Sequence, residues 1–132
     1  MQTRPRTTAP SLRLRFPARP ESVFYLRRRL ALWLDEVDAR SDDVFALSLA
    51  ASEAFSNAVE HPHRPTRGFI DINVSFVDRV VTVTVLDSGS WGGKRLREDG
   101  GYGFQLMRDL MDEVEVTVRT EGTSIMLRRH LR

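Results

Sequence analysis

Within "EAFSNAVEH", residues 53 to 61, Glu53, Asn57 and His61 recur at four-residue intervals. Four residues is slightly more than one helical turn, so the three side chains climb a single stripe. A carboxylate and an amide on one stripe have a definite chemistry open to them. The amide offers a neutral oxygen suited to Mg2+, a hard cation that favours oxygen ligands and keeps several waters. The carboxylate can accept a proton from an attacking hydroxyl. The same spacing also describes an ordinary solvated face. The flanks argue for a cleft, because Ala50, Ala51, Ala54, Phe55, Ala58 and Val59 are apolar or small and would leave the helix largely covered.

Two further features carry possible chemistry. Asp87-x-Gly89 follows an alternating apolar run. Asp-Ser-Gly is common turn chemistry; read functionally, the Asp87 carboxylate accepts a hydrogen bond from the exocyclic amine of adenine and Gly89 lets the backbone approach the base. Gly101-x-Gly103 precedes an amphipathic helical pattern. It is either a flexible entry to the helix or a seat for phosphate, since a helix N-terminus offers unpaired N–H groups and the positive end of the dipole. No Gly-Lys-Ser/Thr follows, so the arrangement is not a Walker loop. His61 either supports the site or caps its helix. A zinc pair with His63 lacks further ligands nearby.

The elements that must position these residues follow from periodicity. "SLRLRF" (11–16) alternates as a half-buried strand, closed by Pro17 and Pro20. Val23, Leu26, Leu30, Trp33, Leu34 and Val37 have helical spacing from Glu21 to about Val37. Ser41, with Asp42 and Asp43 behind it, reads as the N-cap of the helix bearing Glu53 and Asn57, which Pro62 and Pro65 close. "GFIDINVSF" and "RVVTVTVLD" alternate with only Asp78 and Arg79 between them, which predicts an antiparallel hairpin. Phe104, Met107, Leu110, Met111 and Val114 mark another amphipathic helix, and the C-terminal stretch reads as a second hairpin turning near Gly122. About five strands and three helices result: an α+β two-layer sandwich, its sheet mostly antiparallel, with the helices on one face.

Composition bounds the function. At 132 residues the chain suits one domain, expected over 11–132 behind a loose tail at 1–10 that does not read as a secretory signal. Apolar residues at 41% and charged residues at 29% describe a soluble globular protein, and no apolar run approaches the roughly 20 residues of a membrane span. There is no cysteine, so thiol chemistry is excluded and a cytoplasmic location is the expectation. The 20 basic residues, all arginine but Lys94, are nearly balanced by 18 acidic ones and mixed along the chain. A nucleic-acid binder more often shows a basic stripe, so neither nucleic acid nor membrane is expected as a partner.

Taken jointly and in this order, the three motifs resemble those of the GHKL ATPase and kinase superfamily. Glu53 to Asn57 resembles the N box, Asp87-Ser88-Gly89 the first glycine box, and "GGYGFQLMRDLMDEVEV" the second. "EGTSIML" contains a Gly122-Thr123 similar to the late Gly-Thr element near the nucleotide. Within the superfamily the likeness is to bacterial anti-sigma factor serine/threonine kinases. The resemblance implies the Bergerat ATP-binding fold, with ATP and Mg2+ as cofactors. Asn57 would hold the metal against the phosphates, Asp87 would receive the adenine amine, and Gly89, Gly101, Gly103 and Thr123 would lie at the nucleotide. Glu53 would activate a serine or threonine hydroxyl of a STAS-type anti-anti-sigma protein. A sigma factor would be the sequestered partner and a homodimer the usual assembly. Two departures stand out: Ser90-Trp91 intervenes before Gly92 and Gly93, and the stretch from Gly89 to Gly101, with Lys94, Arg95 and Arg97, is short for a nucleotide lid. A binding module of the same fold, weak or silent in phosphoryl transfer, is the alternative.

Overall fold

A computed structural model of the chain describes residues 8–60, 68–87, 102–119 and 122–132. Its elements in chain order are β1 (Ala9–Pro17), α1 (Ser22–Glu36), α2 (Ser41–Glu60), β2 (Phe69–Val77), β3 (Val80–Asp87), α3 (Tyr102–Leu110), β4 (Glu113–Arg119) and β5 (Gly122–His130). The strands form one fully antiparallel sheet in the order β1-β2-β3-β5-β4.

Period-two alternation sorts the two faces of that sheet. Ile70, Ile72, Val74 and Phe76 of β2, Val81, Val83 and Val85 of β3, and Ile125 and Leu127 of β5 are buried. Against them pack Leu26, Leu30 and Leu34 of α1, Leu47 and Phe55 of α2, and Phe104 and Met107 of α3. The intervening Asp71, Asn73, Ser75, Thr82 and Thr84 are half-buried or exposed, as the open face of a two-layer α+β sandwich requires. The alanines of α2 at 50, 51, 54 and 58 are buried; small side chains bring that helix close to the sheet, where it packs on β3 and β5.

The β2–β3 hairpin turns through Asp78 and Arg79, both at positive φ (53° and 67°). Two left-handed residues in succession match the right-handed twist of the flanking strands. The second hairpin pairs Arg119 with Gly122, whose φ of 152° suits a glycine. Residues 120–121 lie outside the described residues, as do Pro62 and Pro65. No helix among the described residues is long and apolar enough to cross a membrane.

Two local expectations are corrected. Ser41 is not the N-cap of α2: the Val44 N–H donates to the Arg40 carbonyl at 2.9 Å, which places Ser41 at the first helical position. Val114 is not helical either. The helix makes its last bond from the Met111 N–H to the Met107 carbonyl, and β5 then captures the chain. Asp112 donates its N–H to the Arg128 carbonyl at 2.8 Å, and its carboxylate accepts the His130 N–H at 2.7 Å. Val114 therefore belongs to β4, opposite Leu127.

Candidate functional site

Glu53 and Asn57 are half-buried on α2. Their stripe faces the start of α3 rather than open water. A β-carbon built on Gly103, the second residue of α3, would lie 3.6 Å from Asn57 Nδ2 and 3.6 Å from Glu53 Oε1. Such contacts are ordinary van der Waals distances, and Gly103 does not need a left-handed backbone. Its bare Cα leaves space between the helix start and the carboxylate–amide pair. The Asn57 amide nitrogen is buried with no hydrogen-bond partner among the described residues. An orphaned donor of this kind costs about 1–3 kcal/mol, and buried polar groups are rarely left so.

A second cluster stands at the strand ends. Asp87, the last residue of β3, lies directly opposite Thr123 of β5. Both continue the inward alternation of Val83–Val85 and Ile125–Leu127, so both turn to the helix side of the sheet. Thr123 is buried, and its Oγ1 likewise lacks a partner among the described residues. A hollow of about 300 Å3 wraps this end of the sheet, lined by Asp71, Leu86, Asp87, Arg119 and Gly122 to Ser124. Asp71 is held at its rim by Arg15 of β1, whose Nε and Nη2 donate to the two carboxylate oxygens at 2.7 and 3.0 Å. Those hydrogen bonds hold the Asp71 carboxyl below its ordinary range.

The predicted site residues thus fall into two groups. Glu53, Asn57 and Gly103 meet where α2 crosses α3, while Asp87 and Thr123 pair on the strands that α2 covers. Gly89 and Gly101 lie outside the described residues, together with His61, His63, Trp91 and the basic residues 94, 95 and 97.

Sequence reasoning missed two polar contacts beneath this arrangement. Arg27 of α1 donates through Nε to Ser52 Oγ at 2.8 Å, and Ser52, next to Glu53, donates to the Ser48 carbonyl at 2.7 Å. Asp43, read as a dipole-complementing acid in the first turn of α2, is buried and accepts Arg129 Nε at 2.8 Å and the Arg132 N–H at 3.3 Å. A serine in an alanine-rich helix was the only sequence signal for the first. The second joins residues 86 apart, and nothing local announces it.

The family model of the histidine kinase-like ATPase domain matches residues 16–129. The chain belongs to the histidine kinase-like ATPase family. Within that family it is 30% identical to the anti-sigma F factor of Geobacillus kaustophilus, over 91% of this chain and 92% of the relative. It is 28% identical to the anti-sigma F factor of Bacillus subtilis over the same shares. A crystal structure of the RsbU and RsbW domains of a Mycobacterium tuberculosis protein superposes with a TM-score of 0.77 at 26% identity, covering 93% of this chain and 32% of that one. The chain therefore spans about a third of that longer crystallised chain. The histidine kinase domain of a blue-light-activated kinase from Erythrobacter litoralis shares the fold, with a TM-score of 0.59 at 21% identity. Membership in this ATPase family implies ATP binding, and it bears out the GHKL resemblance at the level of family and fold.

Proposed function

We propose that this protein is a cytoplasmic anti-sigma factor and serine/threonine kinase, binding Mg-ATP, sequestering a sigma factor as a homodimer and phosphorylating a STAS-type anti-anti-sigma protein. The observation that carries the reading is the junction of Glu53, Asn57 and Gly103, with a buried amide donor awaiting an acceptor. The relatives named anti-sigma F factor point the same way.

The residues suit the nucleotide. The nitrogen end of the Asn57 amide seeks an acceptor such as a phosphate oxygen, and its oxygen end is a ligand for a hard cation. Asp87 accepts from the adenine amine, and the Thr123 hydroxyl beside it, without a partner among the described residues, has both a donor and acceptors to offer the base. Gly103 keeps a side chain away from the nucleotide, a role that the GHKL resemblance also gives to Gly89 and Gly101. Mg2+ supplies charge neutralisation at the phosphates. Glu53 accepts the proton of the attacking hydroxyl as its oxygen bonds to phosphorus and ADP leaves with the electrons of the broken P–O bond. A protein partner has a surface to meet: Phe24, Tyr25 and Leu32 of α1 and Phe45 of α2 are 58–67% exposed.

The test is incubation with labelled ATP, Mg2+ and a STAS protein encoded nearby in the genome. Phosphoserine or phosphothreonine on that partner is expected, and Glu53→Gln abolishes it while keeping ATP binding. Labelling unchanged in Glu53→Gln removes the assigned base. ATP binding without any transfer favours the silent-module reading, to which Ser90-Trp91 in the first glycine box lends weight.

A further inference from the structure

The helix that meets Glu53 and Asn57 is short, and its seat is narrow. α3 has nine residues, about 13 Å of helix, and it packs chiefly on α2 with slight contact to β4. Its buried side chains are Phe104 and Met107. Its far end is tied to the sheet by one guanidinium. Arg129 of β5 donates through Nη1 to the carbonyl of Leu110, the last residue of α3, at 2.5 Å, and through Nε to Asp43 Oδ1 at 2.8 Å. Asp43 belongs to the first turn of α2, and its other oxygen accepts the Arg132 N–H. The planar fork of an arginine holds two acceptors in one fixed geometry, which a lysine cannot do. One side chain thus bolts the beginning of α2 to the end of α3. The two helices then run to the place where a β-carbon on Gly103 would come within ordinary contact of Asn57 and Glu53.

We infer that Arg129, clamped by Asp43, is a positioning residue for phosphate binding. It acts through α3, setting how far Gly103 stands from the carboxylate–amide pair. The inference rests on the nucleotide reading above. Asp87 and Thr123 sit on the sheet rather than on α3, so recognition of the base does not depend on this bolt, whereas recognition of the phosphates does.

The experiment compares binding of Mg-ATP and of adenosine, each by NMR titration, in wild type, Arg129→Lys and the double variant Asp43→Leu with Arg129→Met. Lysine keeps the positive charge facing Asp43 and loses the fork. The double variant replaces a buried ion pair by apolar groups, an exchange that is often neutral or stabilising. The expected result is a loss of about tenfold or more in Mg-ATP affinity with adenosine affinity held within twofold, so that the preference for the triphosphate collapses in both variants. Retention of the wild-type preference, or an equal loss for both ligands, makes Arg129 a residue of fold stability only and overturns the inference. If wild type binds neither ligand, the nucleotide reading itself fails; if wild type binds both and the variants keep its ratio, this inference fails alone.

Discussion

Two polar side chains about four turns apart on α2 make opposite uses of burial. Asp43 is 1% exposed, and its oxygens accept from Arg129 and from the Arg132 backbone. Asn57 has a buried amide nitrogen with no partner among the described residues. A carboxylate taken out of water must be paired, because a solitary buried charge is far more costly than an orphaned amide. The saturated group is therefore a fastening, and the open one marks where an outside acceptor completes the structure. The Arg129 side chain is only 16% exposed, so removing Asp43 strands a cation in the interior. Asp43→Ala is expected to cost about 3–5 kcal/mol in denaturant unfolding, a large share of the roughly 5–15 kcal/mol that holds a domain of this size. A cost below about 1 kcal/mol would erase the distinction drawn between the two ends of the helix.

The opposite response is expected at Asn57. Asn57→Leu keeps the branched shape of the side chain and removes a donor unpartnered among the described residues, and the space beside Gly103 admits the bulkier methyl groups, so the nucleotide-free protein melts as wild type does or is about 1 kcal/mol more stable. The same variant loses the stabilisation conferred by Mg-ATP, which for wild type at a hundred times its dissociation constant is roughly 2.7 kcal/mol. Calorimetric melting with and without Mg-ATP reads both numbers. A large loss in the nucleotide-free protein would show that Asn57 is a fastening like Asp43.

Thr123→Val sharpens the comparison at the second orphan. The hydroxyl is removed and the buried β-branched shape kept, so the fold should be indifferent. Adenosine affinity should fall by about 0.5–1.5 kcal/mol, the usual net worth of one hydrogen bond, or roughly twofold to tenfold. Unchanged affinity in a titration would exclude the Thr123 hydroxyl from base recognition.

What could be read from the sequence divides along the same line. Alternation in "FIDINVSFV" and "VVTVTVLD" specifies strand faces because the side-chain period of a strand is two, and the two residues between them leave only a hairpin. Helical spacing located α1 between Glu21 and Val37, which serve as its N-cap and C-cap. Glu53 and Asn57 were legible as a pair because both lie on one helix, and Asp87 because it ends a strand. From spacing alone their partners on other elements were not; only the family resemblance put Gly103 and Thr123 with them. That Gly103 stands a β-carbon's reach from Glu53 and Asn57, that Asp87 faces Thr123, and that β5 lies between β3 and β4 are long-range facts decided by how the elements assemble. The errors at Ser41 and Val114 share a cause: local propensity was overruled by a backbone carbonyl at Arg40 and by β5 capturing Asp112. Asp43 shows the limit most plainly, since an acid in a first helical turn has a sufficient local explanation and gave no reason to look for Arg129.

The smallest effect is expected at the rim of the hollow, where a second acid lies between these extremes. Asp71 is paired with Arg15 like a fastening, yet the side chains are 35% and 65% exposed, so water screens the pair. The hydrogen bonds from Arg15 lower the folded-state pKa of Asp71. A carboxyl depressed in this way binds its proton less readily when folded than when unfolded, so unfolding takes up a proton as the medium is acidified. Its stabilising contribution is complete above the unfolded value of about 3.9 and fades as the pH falls through the lower folded value. Asp71→Asn should therefore differ from wild type by a small constant amount from neutral pH down to about pH 5, with the two converging at still lower pH. Added salt should shrink the neutral-pH difference, because the pair is exposed. Unfolding curves measured from pH 7 to pH 3 at low and high salt check both slopes. A difference that grows on acidification would mean that the Asp71 carboxyl is stabilised in its protonated form, contrary to the pairing with Arg15.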